Sequence, residues 1–238
     1  VVVARGEVFS VPTEEGVTLP ITRGSGAREN RVVFDPEGER LLYVTDRSGE
    51  EELVSADSWG RGKVEVIEGP GVAGRRFQPR YSTDGPWIAY ADQTHTLYVI
   101  PAEGGERREI DYCEQSEITD YTWSPDGRWL AYSKNNEQYF ASIYIYDTQE
   151  DQVHRLGDDY TDDYDPAWDP DGRYLYFVSN RTINPMIGGF DFETINVKPS
   201  RPYMYLLRED VENPFAETAG VPPIEDEDED GDAEDADD

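Results

Sequence analysis

Residues 121–134 read YTWSPDGRWLAYSK. Pro125 presets φ for the second position of a tight turn, and Gly127 closes that turn where a Cβ would be unwelcome. A turn of this kind joins antiparallel strands. The run that follows, Trp129-Leu130-Ala131-Tyr132, is apolar at every position, as a strand covered on both faces requires. The same arrangement recurs as FDPEGERLLYVTD at 34–46, YSTDGPWIAYAD at 81–92 and WDPDGRYLYFVSN at 168–180. The turn glycines Gly38, Gly85, Gly127 and Gly172 are 47, 42 and 45 residues apart, and the aromatic four positions earlier is Phe34, Tyr81, Trp123 or Trp168.

A period in the forties with several copies predicts a propeller array. Third strands read at 97–100 and 143–146, and shorter fourth strands at 107–110 and 152–156. Each sheet can then hide its apolar faces only against another copy of itself. The sequence therefore predicts an all-β chain, a partial β-propeller of about four to five blades of four-stranded antiparallel sheets. A partial blade occupies 1–22, with strands at 6–12 and 18–22, and blades follow at about 30–70, 77–112, 118–157 and 163–210. The last carries an insertion at 181–200. Closed propellers have four to eight blades, and a ring closed by this chain alone is not expected. Tyr43, Tyr90, Tyr132 and Tyr176 read as one repeated strand position, which makes them core between blades rather than a stacking surface for sugars.

The charge is unusual: 52 Asp+Glu stand against 21 Lys+Arg, giving −31. The last fourteen residues, EDEDEDGDAEDADD, hold eleven acids, and without them the balance is still −20. Residues 217–238 read as a solvated acidic linker or tail. Such a surface repels phosphate backbones and anionic lipid, which argues against nucleic-acid and membrane-surface partners. It suits a halophilic, salt-rich cytosol, where screening removes the self-repulsion, and a cytoplasmic address with salt-dependent stability is the expectation. The rival reading is an acidic docking surface for a basic partner. No run approaches eighteen apolar residues, and the start VVVARGEVFS lacks an initiator Met, as a piece of a longer chain would.

Independent catalysis finds little support. Cys113 is the single cysteine, so no intramolecular disulfide forms, and nearby acids oppose a reactive thiolate. Serine chemistry needs a base on the hydroxyl, and the only histidines, His95 and His154, lie in polar surroundings on or beside outer strands. Asp226, Asp228, Asp230 and Gly231 match the opening of an EF-hand loop, yet Asp237 stands where the bidentate Glu belongs and no helices flank it. No catalytic residue, metal or cofactor is assigned. In a propeller the central channel sees the edge of each innermost strand. Channel-lining candidates are Gln78, Arg80, Thr119, Asp120, Tyr164 and Asp165, where a peptide would meet edge amides and a few polar groups.

Several segments resemble the tricorn protease family: ARGEVFSVPTEEG at 4–16, TDRSGEEEL at 45–53 and EITDYTWSPDGRWLAYS at 117–133. The stretch SNRTINPMIGGFDFE at 179–193, with RPYMYLLRED and NPFAE beyond it, is similar to the end of the family's second, seven-bladed propeller. The blades themselves are TolB-like and WD-repeat-like. This resemblance, over about residues 1–216, implies the C-terminal part of that propeller in an oligopeptide-degrading serine peptidase. It further implies oligopeptide substrates filtered by the propeller, partner PDZ and peptidase domains, and a homo-oligomer. The family's catalytic residues lie in those other domains, and none maps onto this sequence. A stand-alone TolB-like or WD-repeat-like interaction scaffold is the alternative.

Overall fold

The computed structural model describes residues 1–24, 26–70, 74–183, 185–187, 194–196 and 198–216, so the tail at 217–238 and its EF-hand-like segment lie outside the described residues. Every regular element among them is a strand. The first sheet holds β1 (Val2–Ala4), β2 (Glu7–Ser10) and β3 (Leu19–Pro20). The sequence predicts only two of these. The β-branched Val2 and Val3 supply the third, pairing with Phe9 and Val8.

Among the described residues three four-stranded sheets follow in sequence order, and then a three-stranded one where the sequence predicts four strands. One contains β4 (Glu29–Phe34), β5 (Arg40–Thr45), β6 (Glu52–Asp57) and β7 (Glu65–Glu68). The next contains β8 (Arg80–Tyr81), β9 (Trp87–Ala91), β10 (Thr96–Pro101) and β11 (Arg108–Tyr112). A third contains β12 (Thr122–Trp123), β13 (Trp129–Asn135), β14 (Ala141–Asp147) and β15 (Gln152–Arg155). The last joins β16 (Asp163–Trp168) and β17 (Tyr174–Ser179) to β20 (Arg201–Leu206), with β18 (Pro185–Ile187) and β19 (Thr194–Asn196) paired as a hairpin in the insertion. All pairings are antiparallel, and sheets stack in chain order as blades.

The repeated turn does what its residues dictate. Gly127 N–H donates to the Ser124 carbonyl at 3.0 Å, and the equivalent bonds close at Gly38, Gly85 and Gly172. Gly127 has φ +69°, a dihedral that favours glycine, and a Cβ there would also meet the exposed Asp84 carboxylate of the preceding blade, which would have to swing aside.

Side-chain alternation divides each strand between two neighbours. In β13, Leu130 and Tyr132 pack back onto Ala89, Leu97 and Val99, while Ala131 faces forward onto Leu175 and Phe177. In β9, Ile88 and Tyr90 pack back onto Leu42 and Val44. Counting from the turn glycine, the backward-facing series is Tyr43, Tyr90, Tyr132 and Phe177. Tyr176 does not belong to it, which corrects the sequence reading. It sits one residue earlier, at the repeat position of Ala131, and a one-residue shift in a strand moves a side chain to the other face. That face is only half covered: Tyr176 is half-buried and Leu206 is 42% exposed.

A half-buried ion pair fastens the third four-stranded sheet. Asp147, at the end of β14, is fully buried and accepts from Arg128 Nε at 3.0 Å, from Arg128 Nη2 and from the Gln149 N–H at 2.9 Å. The Arg128 guanidinium holds its carboxyl below the ordinary carboxylate value. Because the folded pKa is depressed, this pair stabilises fully above the unfolded carboxylate pKa of about 3.9 and is lost as pH falls through the lower folded value. Asp147→Asn is expected to lower the urea midpoint at pH 7 and to flatten the stability loss below pH 4. Parallel acid limbs in variant and parent, measured by urea titration at several pH values, would refute this.

Candidate functional site

From the second sheet on, the first strand of each sheet is innermost. β8 touches β12 and β12 touches β16, whereas the fourth strands are largely exposed, with β15 uncovered along its length. The inner edge is therefore built from β4, β8, β12, β16 and the residues leading into them. Bulges shape it. The pairing of β4 with β5 slips between Asn30 and Val33, that of β16 with β17 between Tyr164 and Ala167, and Arg31 and Asp165 take φ values of 54° and 56° there.

Hydrogen bonds across this edge tie each blade to the one before. Trp123 Nε1 donates to the Arg80 carbonyl at 3.1 Å and Trp168 Nε1 to the Thr122 carbonyl at 3.2 Å, which gives the repeated aromatic a polar as well as an apolar task. Tyr121 Oη donates to the Gln78 carbonyl. Burial pushes the Tyr121 phenol well up, so it stays a neutral donor.

The sequence-derived candidates divide between stitching and exposure. Gln78 is half-buried and its Nε2 lies 3.5 Å from the Arg31 carbonyl. Asp120 is half-buried and accepts from Ser133 Oγ at 2.5 Å and from the Asp165 N–H at 2.9 Å. Tyr164 is half-buried with its Oη 3.4 Å from Ser200 Oγ. Arg80, Thr119 and Asp165 are exposed. Gln78, Asp120 and Asp165 occupy one repeated position, seven residues before the turn glycine. Arg31 is its fourth member and was missed, although counting back from Gly38 finds it. Its guanidinium lies 5.4 Å from the Phe77 ring centroid. Burial, and then the Arg75 cation, depress its pKa from the ordinary guanidinium value. Beside it, Arg28, Asp46, Glu50, Glu51 and Arg75 border a recess of about 400 Å³.

Elsewhere among the described residues no hydrolytic pairing emerges. His95 Nδ1 lies 3.1 Å from the Cys113 carbonyl in a tight turn, and His154 is exposed beside the Trp129 ring. Cys113 is buried between blades. Among the described residues no group of three or more His, Cys, Asp or Glu side chains is arranged to hold a metal.

The family model for the tricorn protease second beta propeller domain matches residues 1–238. The chain belongs to that family. Tricorn protease homolog 1 of Streptomyces coelicolor is 29% identical over 219 residues, 90% of this chain and 20% of the relative. The tricorn protease of Thermoplasma volcanium is 25% identical over 218 residues, 89% of this chain and 21% of its own length. This tricorn-family segment thus spans about a fifth of the curated relatives it matches. The crystal structure of the tricorn protease superposes with a TM-score of 0.78 at 20% identity, over 89% of this chain and 21% of that one. The β-propeller domain of the Trilobed protease from Pyrococcus furiosus, described as an open velcro topology, gives 0.50 at 16% identity, over 75% and 54%. Both likenesses establish the propeller fold.

Proposed function

We propose that this chain is the non-catalytic propeller segment of a tricorn-type serine peptidase, and that oligopeptides pass along its inner edge toward catalytic groups carried by other domains. The family match carries this reading. The inner edge supports it chemically, since short strands with bulges leave main-chain groups beside exposed polar side chains, a weak and sequence-tolerant way to hold an extended peptide. The same reading includes PDZ and peptidase domains as partners, a homo-oligomeric parent and a cytoplasmic, salt-rich setting for the acidic surface. The purified chain is expected to bind fluorescein-labelled oligopeptides with micromolar or weaker affinity and to leave fluorogenic peptides intact. Turnover abolished by a serine-directed inhibitor would overturn the non-catalytic assignment, and absence of any peptide binding would overturn the path.

A further inference from the structure

The inner edge is electrically divided. Ten residues before the turn glycines stand Arg28, Arg75, Glu117 and Asp162, and seven before them Arg31, Gln78, Asp120 and Asp165. The first two full blades therefore present three arginines and Gln78 where the last two present four carboxylates. Arg80 adds to the basic half, exposed on β8. In a chain of net charge −31 this segregation is unexpected from composition alone.

The two halves also differ in what their groups still have to give. Two of the acidic side chains are already used: Asp120 takes the Ser133 and Asp165 donors, and Asp162 accepts from the Ala141 N–H at 3.0 Å and from Asn180 Nδ2 at 2.7 Å. The arginines are not. Arg28, Arg31, Arg75 and Arg80 make no ion pair within 4.0 Å among the described residues, while Arg40, Arg76, Arg107 and Arg128 all do. Two of the carboxylates at the neighbouring recess are turned to main chain instead, Asp46 to the Arg28 N–H at 2.7 Å and Glu51 to the Arg76 N–H at 2.7 Å. Arg31 lies over the Phe77 ring and its carbonyl faces Gln78 Nε2, between Arg75 and Arg80 along the chain, and Arg75 shares a recess with Arg28. Asp46, Glu50 and Glu51 border the same recess, but none closes an ion pair with these arginines, so guanidinium donors are left for an incoming anion, and the planar fork matches a carboxylate.

We propose that the basic half of the inner edge holds the carboxylate of an oligopeptide, with Arg31 as anchor and Arg28, Arg75 and Arg80 around it. The acidic half repels that group, so the anionic part of the peptide is confined to the first two full blades. This rests on the inner edge being the peptide path. The carboxylate can come from the peptide's C-terminus or from an acidic side chain, and one experiment separates them.

Anisotropy titrations in 0.1 M salt would use three labelled peptides of one length: a free C-terminus without acidic residues, its C-terminal amide, and that amide with one internal Asp. Amidation is expected to weaken binding by about five-fold or more. Recovery with the internal Asp identifies side-chain recognition, and no recovery identifies the terminus; either outcome supports the site. In Arg31→Gln/Arg75→Gln the preference should vanish while the amide's affinity holds. Should that double variant fold poorly, the exposed Arg80→Gln and a rise to 1 M salt on the parent chain must each reduce the preference. Equal binding of acid and amide by the parent chain would overturn the carboxylate site and leave the path standing. Failure of all three peptides to bind would overturn both.

Discussion

Replacing Arg76 by alanine is expected to destabilise the chain by about 2–3 kcal/mol, because it removes a buried cation that holds one carboxylate and two main-chain carbonyls between two blades. Arg76 is 2% exposed. Its Nε and Nη2 both lie 3.1 Å from Glu68 Oε2, Nη2 reaches the Gly69 carbonyl at 3.1 Å, and Nη1 donates to the Glu51 carbonyl. Glu68 Oε1 in turn accepts from Tyr90 Oη at 2.7 Å and from Arg107 Nη1 at 3.0 Å. Burial, and then the Glu68 charge, raise the Tyr90 phenol, so it remains a donor throughout the working pH range. The network thus joins β7 of one blade to β9 of the next, and removing its central cation leaves Glu68 with Arg107 and Tyr90 alone. Glu68→Gln should cost less, and Arg76→Ala combined with Glu68→Gln should fall short of the sum by about 1 kcal/mol or more. Urea unfolding of the four proteins reads this directly. Additive losses would mean that the pair does not act as a unit.

Why was this network invisible in the sequence while the blades were not? The blades announce themselves because the turn Ser124-Pro125-Asp126-Gly127 and the apolar run after it are local, and their repetition every forty-odd residues requires no knowledge of contacts. Arg76 offers no such signal. It follows another arginine, Arg75, which is exposed, and only the register of the short bridge between Arg76 and Asp92 turns one inward and the other out. The inner edge lies between these cases. Gln78, Asp120 and Asp165 were found by position, but the stitching of Tyr121 and Trp123 onto carbonyls of the blade before depends on how sheets stack. The charge division is equally hidden, because it appears only when the repeats are compared position by position rather than read along the chain.

The same comparison yields the sharpest test of register. Tyr132→Ala should destabilise by about 3–5 kcal/mol, the usual cost of deleting a buried aromatic, whereas Tyr176→Ala should cost about 1 kcal/mol, since burial and not residue type sets the loss. Tyr132 is fully buried, stacked on Tyr144 with ring centroids 5.6 Å apart, and its Oη donates to Asp111 Oδ2 at 2.6 Å. Its ring seals the contact between the second and third full blades. Tyr132→Phe separates the terms: the ring stays, Asp111 keeps Lys134 Nζ at 2.7 Å, and only about 1 kcal/mol should be lost. Tyr176 faces the other way, with its ring 6.2 Å from Tyr174 on a half-covered side. Phe177, the true counterpart of Tyr132, is 3% exposed and stacks on Tyr205 at 4.6 Å, so Phe177→Ala should fall with Tyr132→Ala rather than with its neighbour. Equal losses at 176 and 177 would show that the last sheet is not packed in this register. The backward-facing series from Tyr43 to Phe177 would then have to be redrawn.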